Sequence, residues 1–387
     1  MPFQSRYVDG VSSSADDTMV QLLTPEGKFK PSASAEEFLP YFEKLTDADY
    51  RKFYREMVTV RRYDTEATNL QRQGQLALWV PSHGQEGAQV GSAFATKDQD
   101  HIFPAYREHA IAHIRGVDLI NIIRQFKGFT HGGWNPFDPK HKNFHIYTLV
   151  IGSHALHSTG YAMGIKFDGA TNTGKPDKDE AVIVYFGDGA TSQGDVSEAF
   201  VFAASYQTPQ VFFIQNNHWA ISVPVSVQAR VPLYTRGEGF GVPGTQIDGN
   251  DVFASFAVTA KHMDDARSGK GPSLIEAHTY RIGAHTSSDD PTKYRSDAEL
   301  QDWIKKDPIA RLETFLKASG TEEKFFAEVH QEAADFAADI RRRTVELTGL
   351  DSSSMFDSVY SEPHVLMDEQ RQWLAAYDAS FEEEAQA

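Results

Sequence analysis

The chain predicts an α/β fold: a parallel sheet flanked by helices, with helical extensions at its N- and C-terminal ends. Three observations point there. Between residues 152 and 280 short β-rich runs alternate with helical periodicity, the pattern of strands joined by helical crossovers. The longest apolar runs, 182–186 and 211–214, have the length of buried strands and are far too short to cross a bilayer. With 387 residues, 40% of them hydrophobic, the chain can bury a large core.

Taken in order, residues 1–34 mix Gly, Ser, Pro and charge without a period, and read as an irregular N-terminal arm that is mobile or lies on a partner. Residues 1–17 carry neither the apolar stretch of a signal peptide nor an Arg-rich transit pattern, so the expected location is cytoplasmic. An α/β domain with its own N-terminal helices is expected over 35–300. Phe38, Leu39, Phe42 and Leu45, then Phe53, Met57 and Val60, recur at helical spacing, giving two helices broken near Thr46. Gly132, Gly133, Pro136 and Pro139 stand among aromatics and histidines in 128–145, the composition of a long ordered loop.

A small-residue helix should run to about Phe167, followed by a strand over 181–186, a helix over 196–207 and a strand over 211–215. Asp248, Asn250 and Asp251 can cap a helix ending near Arg267, and 273–280 reads as another strand. Residues 301–387 form a helical C-terminal region, with Trp303, Ile304, Ile309, Leu312, Phe315 and Leu316 as its apolar stripe. Arg341, Arg342 and Arg343 close a helix where positive charge suits the macrodipole, and read as a solvated face.

Composition removes several function classes. Acidic residues outnumber basic ones 54 to 37, a net charge of −17, which disfavours nucleic acid and anionic membranes as partners. Any phosphate site must therefore be built locally. Cysteine is absent, which excludes disulfides, thiolate metal sites and a cysteine nucleophile.

The most informative segment is Gly187-Asp188-Gly189-Ala190-Thr191-Ser192-Gln193-Gly194-Asp195, which follows a buried strand and precedes a helix, a second strand and Asn216-Asn217. Glycines flanking Asp188 let the backbone approach a phosphate closely, because no Cβ intervenes. Asp195 with Glu198 three residues on reads as a capping box that ends the Gly-rich turn. A right-handed crossover sets the second strand parallel to the first, so Asn217 emerges at the same sheet edge as Asp188. Two hard oxygen donors then converge. Magnesium takes one or two carboxylates plus phosphate oxygens, so Asp188, the Asn217 amide oxygen, a main-chain carbonyl and a diphosphate would complete its shell. Gly-Asp-Gly alone would be an ordinary strand-to-helix turn; the full order of elements makes it specific.

This arrangement resembles the thiamine diphosphate signature, and the surrounding residues resemble the α subunit of heterotetrameric 2-oxo acid dehydrogenases. The likeness runs from about residue 47 to 308 and is dense in Gln71-Arg72-Gln73-Gly74, Gln85-Glu86, 103–108, 187–224, 248–251 and 281–295. It implies the thiamine diphosphate-binding fold, with Asp188, Asn217 and the main-chain oxygen of Trp219 as magnesium ligands. It further implies that Gly187, Gly189, Ala190, Thr191, Ala220 and Ile221 line the diphosphate end, and that Tyr106 and Arg107 grip the diphosphate. A planar guanidinium suits that task; the plainer alternative is a surface ion pair between Arg107 and Glu108. Leu149 and Ile151 match the stretch whose aliphatic side chain wedges between the cofactor's rings. Ser153-His154 departs from the potassium-ligand pattern of branched-chain members, which argues against a potassium site.

His285 follows a predicted strand on a polar loop at the ligand edge, where an imidazole can exchange protons. The resemblance implies that it contacts the cofactor and assists transfer to a lipoyl group, with Asp289, Tyr294 and Arg295 ordering its loop. Thr286 stands where animal relatives carry a phosphorylated serine. By the same likeness, Leu78 and Trp79, with Tyr106, border the acyl pocket, and Leu for Phe at position 78 leaves room for a branched chain. The implied activity is oxidative decarboxylation of a 2-oxo acid and acylation of a lipoyl-bearing acyltransferase, branched-chain acids being favoured over pyruvate or acetoin-type substrates. A separate β subunit would complete an α2β2 assembly and supply the activating glutamate. The alternative of another class is a non-catalytic scaffold subunit.

Overall fold

The computed structural model describes residues 18–129 and 132–384. Five parallel strands form its sheet: β1 (His101–Phe103), β2 (Val182–Gly187), β3 (Gln210–Asn216), β4 (Gly244–Asp248) and β5 (Ser273–His278), in the order β1-β2-β3-β5-β4. The expected parallel α/β sheet is therefore present. The three longer strand runs were legible. Two strands were not: β1 has only three residues, and the sequence Gly-Thr-Gln-Ile-Asp of β4 lacks an apolar run.

Strand residues alternate between two cores. Ile183, Tyr185, Val211, Phe213 and Ile275 face one, and Val182, Val184, Phe186, Phe212 and Ile214 the other, all fully buried. The first core lies beneath α1 (Asp47–Arg72), α2 (Glu86–Phe94) and the later α5 (Val252–Arg267); α3 (Ser153–Phe167) and α4 (Gly194–Tyr206) cover the second. Two more helices, α6 (Pro308–Ala318) and α7 (Glu323–Glu346), pack on α1 and extend the first core through Leu312, Leu316, Phe326 and Ile340. Ile304, by contrast, is exposed.

Local signals explain most boundaries. Thr46 caps α1 in a reciprocal capping box with Asp49, at the expected break. Asp251 caps α5 by accepting from Phe253 and Ala254 N–H. The Asp195 cap is a correction: Gln193 is the N-cap of α4, without a side-chain hydrogen bond, and Asp195 lies inside the first turn. A tight turn over Asp188–Ser192 delays the helix start. The arm also differs from expectation within its described part, because Val20, Leu22 and Leu23 are buried in this chain's own core and Asp251 accepts the Leu22 and Leu23 N–H groups at 2.6 Å. Residues 1–17 lie outside the described residues. Among the described residues no helix is long and apolar enough to cross a membrane.

Several buried imidazoles give the fold a pH signature, His109 and His262 among them. Burial pushes His109 down to about 3 and His262 down to about 4. His109 is held neutral between the Val80 carbonyl and the Tyr147 hydroxyl, each 2.9 Å away. A depressed folded value means that this stability is complete above the unfolded value near 6.5 and is lost as pH falls toward 4. Each ring should add ~1.4 kcal/mol per pH unit to the slope in that window. Denaturant unfolding between pH 7 and 5 checks this, and His109→Gln should flatten the profile.

Candidate active site

The carboxyl ends of β1, β2, β3 and β5 open into one cavity of about 570 Å³. Register explains the convergence: Gly187 of β2 pairs with Gln215 of β3, so the residues that follow, Asp188 and Asn217, leave the sheet side by side. The Asp188 carboxylate is 1% exposed and accepts from Gln228 Nε2 at 2.8 Å and from the Asn217 main-chain N–H. Burial pushes its carboxyl above the usual carboxylate range. A Cβ at Gly187 would meet open space, whereas one at Gly189 would come within 2.8 Å of the Ala220 Cβ. The first glycine leaves room for a ligand and the second lets the Ala220 segment close in. Beyond it the chain is strained, with His218 at φ 71° and the β-branched Ile221 at φ 55°, a backbone cost of order 1–3 kcal/mol each that is commonly kept at ligand sites.

A positive wall forms the other part of the cavity. Arg107 is 6% exposed and donates to the Pro81 carbonyl, to His285 O at 3.1 Å and to His285 Nδ1 at 3.3 Å. Arg281 donates to Trp219 O and Ile221 O, each at 2.8 Å, and to the Tyr294 hydroxyl at 2.9 Å. Among the described residues neither guanidinium forms an ion pair with a carboxylate, so the surface pair between Arg107 and Glu108 gives way: Glu108 instead accepts from the Arg107 main-chain N–H. In a chain of net charge −17, two buried guanidiniums that form no carboxylate ion pair among the described residues stand out against the general field.

His285 sits between them. Burial first, then Arg107 and Arg281, push its imidazole down to about 3. Exchange near neutrality is therefore absent while the site holds no anion. Because Nδ1 faces the two guanidiniums, the ring proton resides on Nε2. Its loop is ordered as expected. Asp289 accepts from the His285 N–H at 2.8 Å and from the Tyr294 hydroxyl at 2.5 Å, while Arg295 binds the Arg281 and Ile282 carbonyls at 2.5 and 2.6 Å.

The remaining sequence-predicted residues divide. Leu78, Tyr106, Leu149, Ile151, Ala190 and Thr286 line the cavity, as do Trp219, Ala220 and Ile221. Leu149 and Ile151 are 67% and 40% exposed, an apolar lip with space beside it. Two assignments are corrected. Trp79 is fully buried behind the wall, its Nε1 on Asp64 at 2.7 Å and its ring stacked on His109. Thr191 turns inward to close its own turn, donating to the Asp188 carbonyl at 2.6 Å. His154 is also fixed, with Nε2 on the Tyr185 carbonyl at 2.7 Å.

Sequence reasoning missed Gln85, Glu108, Gln215, Gln228 and Arg281 as individual contributors. Gln85, Glu108, Gln215 and Arg281 fell within the segments that carried the resemblance, where no role was drawn from them; Gln228 lay just beyond, in a short helical turn.

A cation would find the Asp188 carboxylate, the Asn217 carboxamide and the Trp219 carbonyl near one another, although Arg281 already takes one lone pair of that carbonyl. Among the described residues no group of three or more His, Asp or Glu side chains could hold a metal by itself, so further ligands would have to be phosphate oxygens or water. The donor set fits magnesium on those terms.

Fold and site together define a parallel α/β domain with one deep cavity at the carboxyl ends of its strands. The chain matches the dehydrogenase E1 component family over residues 54–341, and it belongs to that family. It is 40% identical over 374 residues to the 3-methyl-2-oxobutanoate dehydrogenase subunit alpha of Mycobacterium tuberculosis, covering 96% of this chain and 97% of that protein. It is 36% identical over 327 residues to the pyruvate dehydrogenase E1 component subunit alpha of Staphylococcus aureus, covering 84% of each.

Proposed function

We propose that this chain is the α subunit of a thiamine-diphosphate-dependent 2-oxo acid dehydrogenase E1, that it binds the cofactor diphosphate through magnesium, and that it favours branched-chain acids. One observation carries the reading: Asp188 and Asn217 emerge together at adjacent strand ends in the same cavity as two guanidiniums without counter-ions. Family membership implies thiamine diphosphate as the cofactor, and when bound it supplies the carbanion stabilisation that decarboxylation needs.

The chain's own groups bind and orient. Asp188, Asn217 and the Trp219 carbonyl would hold the cation, and Arg107 would hold diphosphate oxygens as a planar fork. Leu149 and Ile151 would pack against the cofactor's apolar surface. An anion on Arg107 would cancel part of the charge that depresses His285 and return its imidazole toward neutrality, with its proton presented from Nε2. The exposed apolar lip at Leu149 and Ile151 is consistent with a β subunit closing the site, and a lipoyl-bearing acyltransferase would receive the acyl group.

The branched-chain preference rests on Leu78 at the cavity wall and on the 40% relative. Steady-state rates of the reconstituted α and β chains with 3-methyl-2-oxobutanoate and with pyruvate test it; a strong preference for pyruvate would overturn it. Leu78→Phe should reduce the branched-chain to pyruvate ratio of kcat/KM by ~10-fold, the scale set by a methylene or two of pocket volume.

A further inference from the structure

Behind the cavity floor lies a buried carboxylate that the proposed chemistry does not use. Glu108 is 1% exposed and forms no ion pair among the described residues, and burial pushes its carboxyl up to about 7. Both oxygens act as acceptors. Oε1 takes Gln215 Nε2 at 2.6 Å, and Oε2 takes the Arg107 main-chain N–H at 3.3 Å.

A primary amide has one donating end and one accepting end. With the Gln215 nitrogen drawn to Glu108, its oxygen must face away, where it accepts from Gln85 Nε2 at 3.0 Å and Gln89 Nε2 at 3.1 Å. The Gln85 oxygen then faces Asn217 and accepts its Nδ2 at 2.9 Å. Asn217 is left presenting Oδ1, which accepts only the Trp219 N–H among the described residues, at 3.3 Å, and keeps a lone pair for a cation. Gln89 points the same way, because its oxygen accepts the Ala110 N–H at 3.2 Å and its nitrogen donates to the Arg107 carbonyl at 3.0 Å. At the far end the carboxylate of Glu108, when ionised, can only accept, and so holds the Gln215 nitrogen from the other side.

We propose that Glu108, acting with Gln89, sets the polarity of the relay Glu108–Gln215–Gln85–Asn217 and so aims the Asn217 carboxamide oxygen, rather than its nitrogen, at the divalent cation. The inference rests on the magnesium–diphosphate reading above. The same relay ties the two ends of the site together, because Glu108 holds the Arg107 N–H while Gln89 donates to the Arg107 carbonyl at 3.0 Å. Glu108 is thus a positioning residue for both Asn217 and Arg107.

The test uses the assembled α/β protein, stripped with a chelator, saturated with thiamine diphosphate and titrated calorimetrically with magnesium itself. Glu108→Gln lets position 108 either donate or accept, and magnesium affinity should fall by ~10-fold or more, the usual scale for an outer partner of a metal ligand. Gln85→Met cuts the relay at a neutral link and should give a similar loss. The exchange E108Q/Q215E restores direction, because an acceptor-only residue at 215 still receives Gln85 Nε2; its affinity should return to within ~3-fold of the parent. A neutral carboxamide at position 108 lowers the cost of burial, so the melting temperature without ligand should not fall while magnesium affinity does, whereas a purely structural role predicts that both fall together. Parental affinity in either single variant, or failure of the exchange to restore it, overturns the proposal. Absence of magnesium-dependent binding in the parent protein would instead refute the functional reading on which it rests.

Discussion

Asp188→Asn is expected to abolish useful magnesium-dependent binding of thiamine diphosphate while leaving the fold intact. The change keeps the side chain's shape and one acceptor oxygen for the Gln228 amide, so packing at the end of β2 is largely kept. What disappears is the negative charge opposite a divalent cation in a site removed from water. Deleting one partner of a buried charge pair costs ~3–5 kcal/mol, which corresponds to ~10²–10⁴-fold in affinity. Calorimetry with the assembled protein reads the loss, and a melting curve of the ligand-free protein, expected to be no lower than the parent's, separates lost ligation from lost folding. Parental affinity in this variant would show that the cation, if present, sits elsewhere.

The second large effect concerns His285. Its neutral imidazole, wedged against Arg107 and Arg281, contributes little to the core, so His285→Ala should fold and bind cofactor. Proton transfer by a positioned side chain typically contributes 10²–10⁴-fold. Acylation of a lipoyl acceptor is therefore expected to fall by ~10²–10⁴, whereas decarboxylation coupled to an artificial electron acceptor should fall far less. Equal loss in both assays would assign His285 to the decarboxylation step or to cofactor placement. The pH profile carries a further check. The imidazole is pushed down to about 3 in the ligand-free site, so a limb near neutrality that belongs to His285 would arise in the diphosphate-bound state and would vanish in the alanine variant.

The sequence made the Asp188–Asn217 pair legible because a crossover between adjacent parallel strands leaves little freedom in where its two ends emerge. The order of strand, turn, helix and strand was enough to bring the donors together. Side-chain direction was harder to read. Leu78 and Trp79 are neighbours that point opposite ways, one to the cavity and one into the core beside Asp64, and a likeness carried by position cannot tell a wall from what lies behind it. Thr191 was misplaced for a similar reason, since its hydroxyl serves the turn's own backbone.

The relay through Glu108 was invisible because each link joins residues far apart in the chain, Gln215 to Glu108 and Asn217 to Gln85, and no local spacing announces a hydrogen bond between them. Glu108 beside Arg107 even suggested an ion pair that the fold does not make. Short strands failed for want of pattern: three residues at 101–103 and the polar 244–248 join the sheet through their neighbours' edges, a tertiary effect that propensity does not contain. The buried stretch around Val20 and Leu22 followed the same rule, its order coming from Asp251 more than two hundred residues away.

Titrating thiamine diphosphate into the assembled α/β protein, with magnesium and again with a chelator present, tests the central claim most directly. The expected result is saturable binding at one site per α chain that requires the divalent ion and is lost in Asp188→Asn. Binding indifferent to the ion, or none at all in the complete assembly, would contradict it.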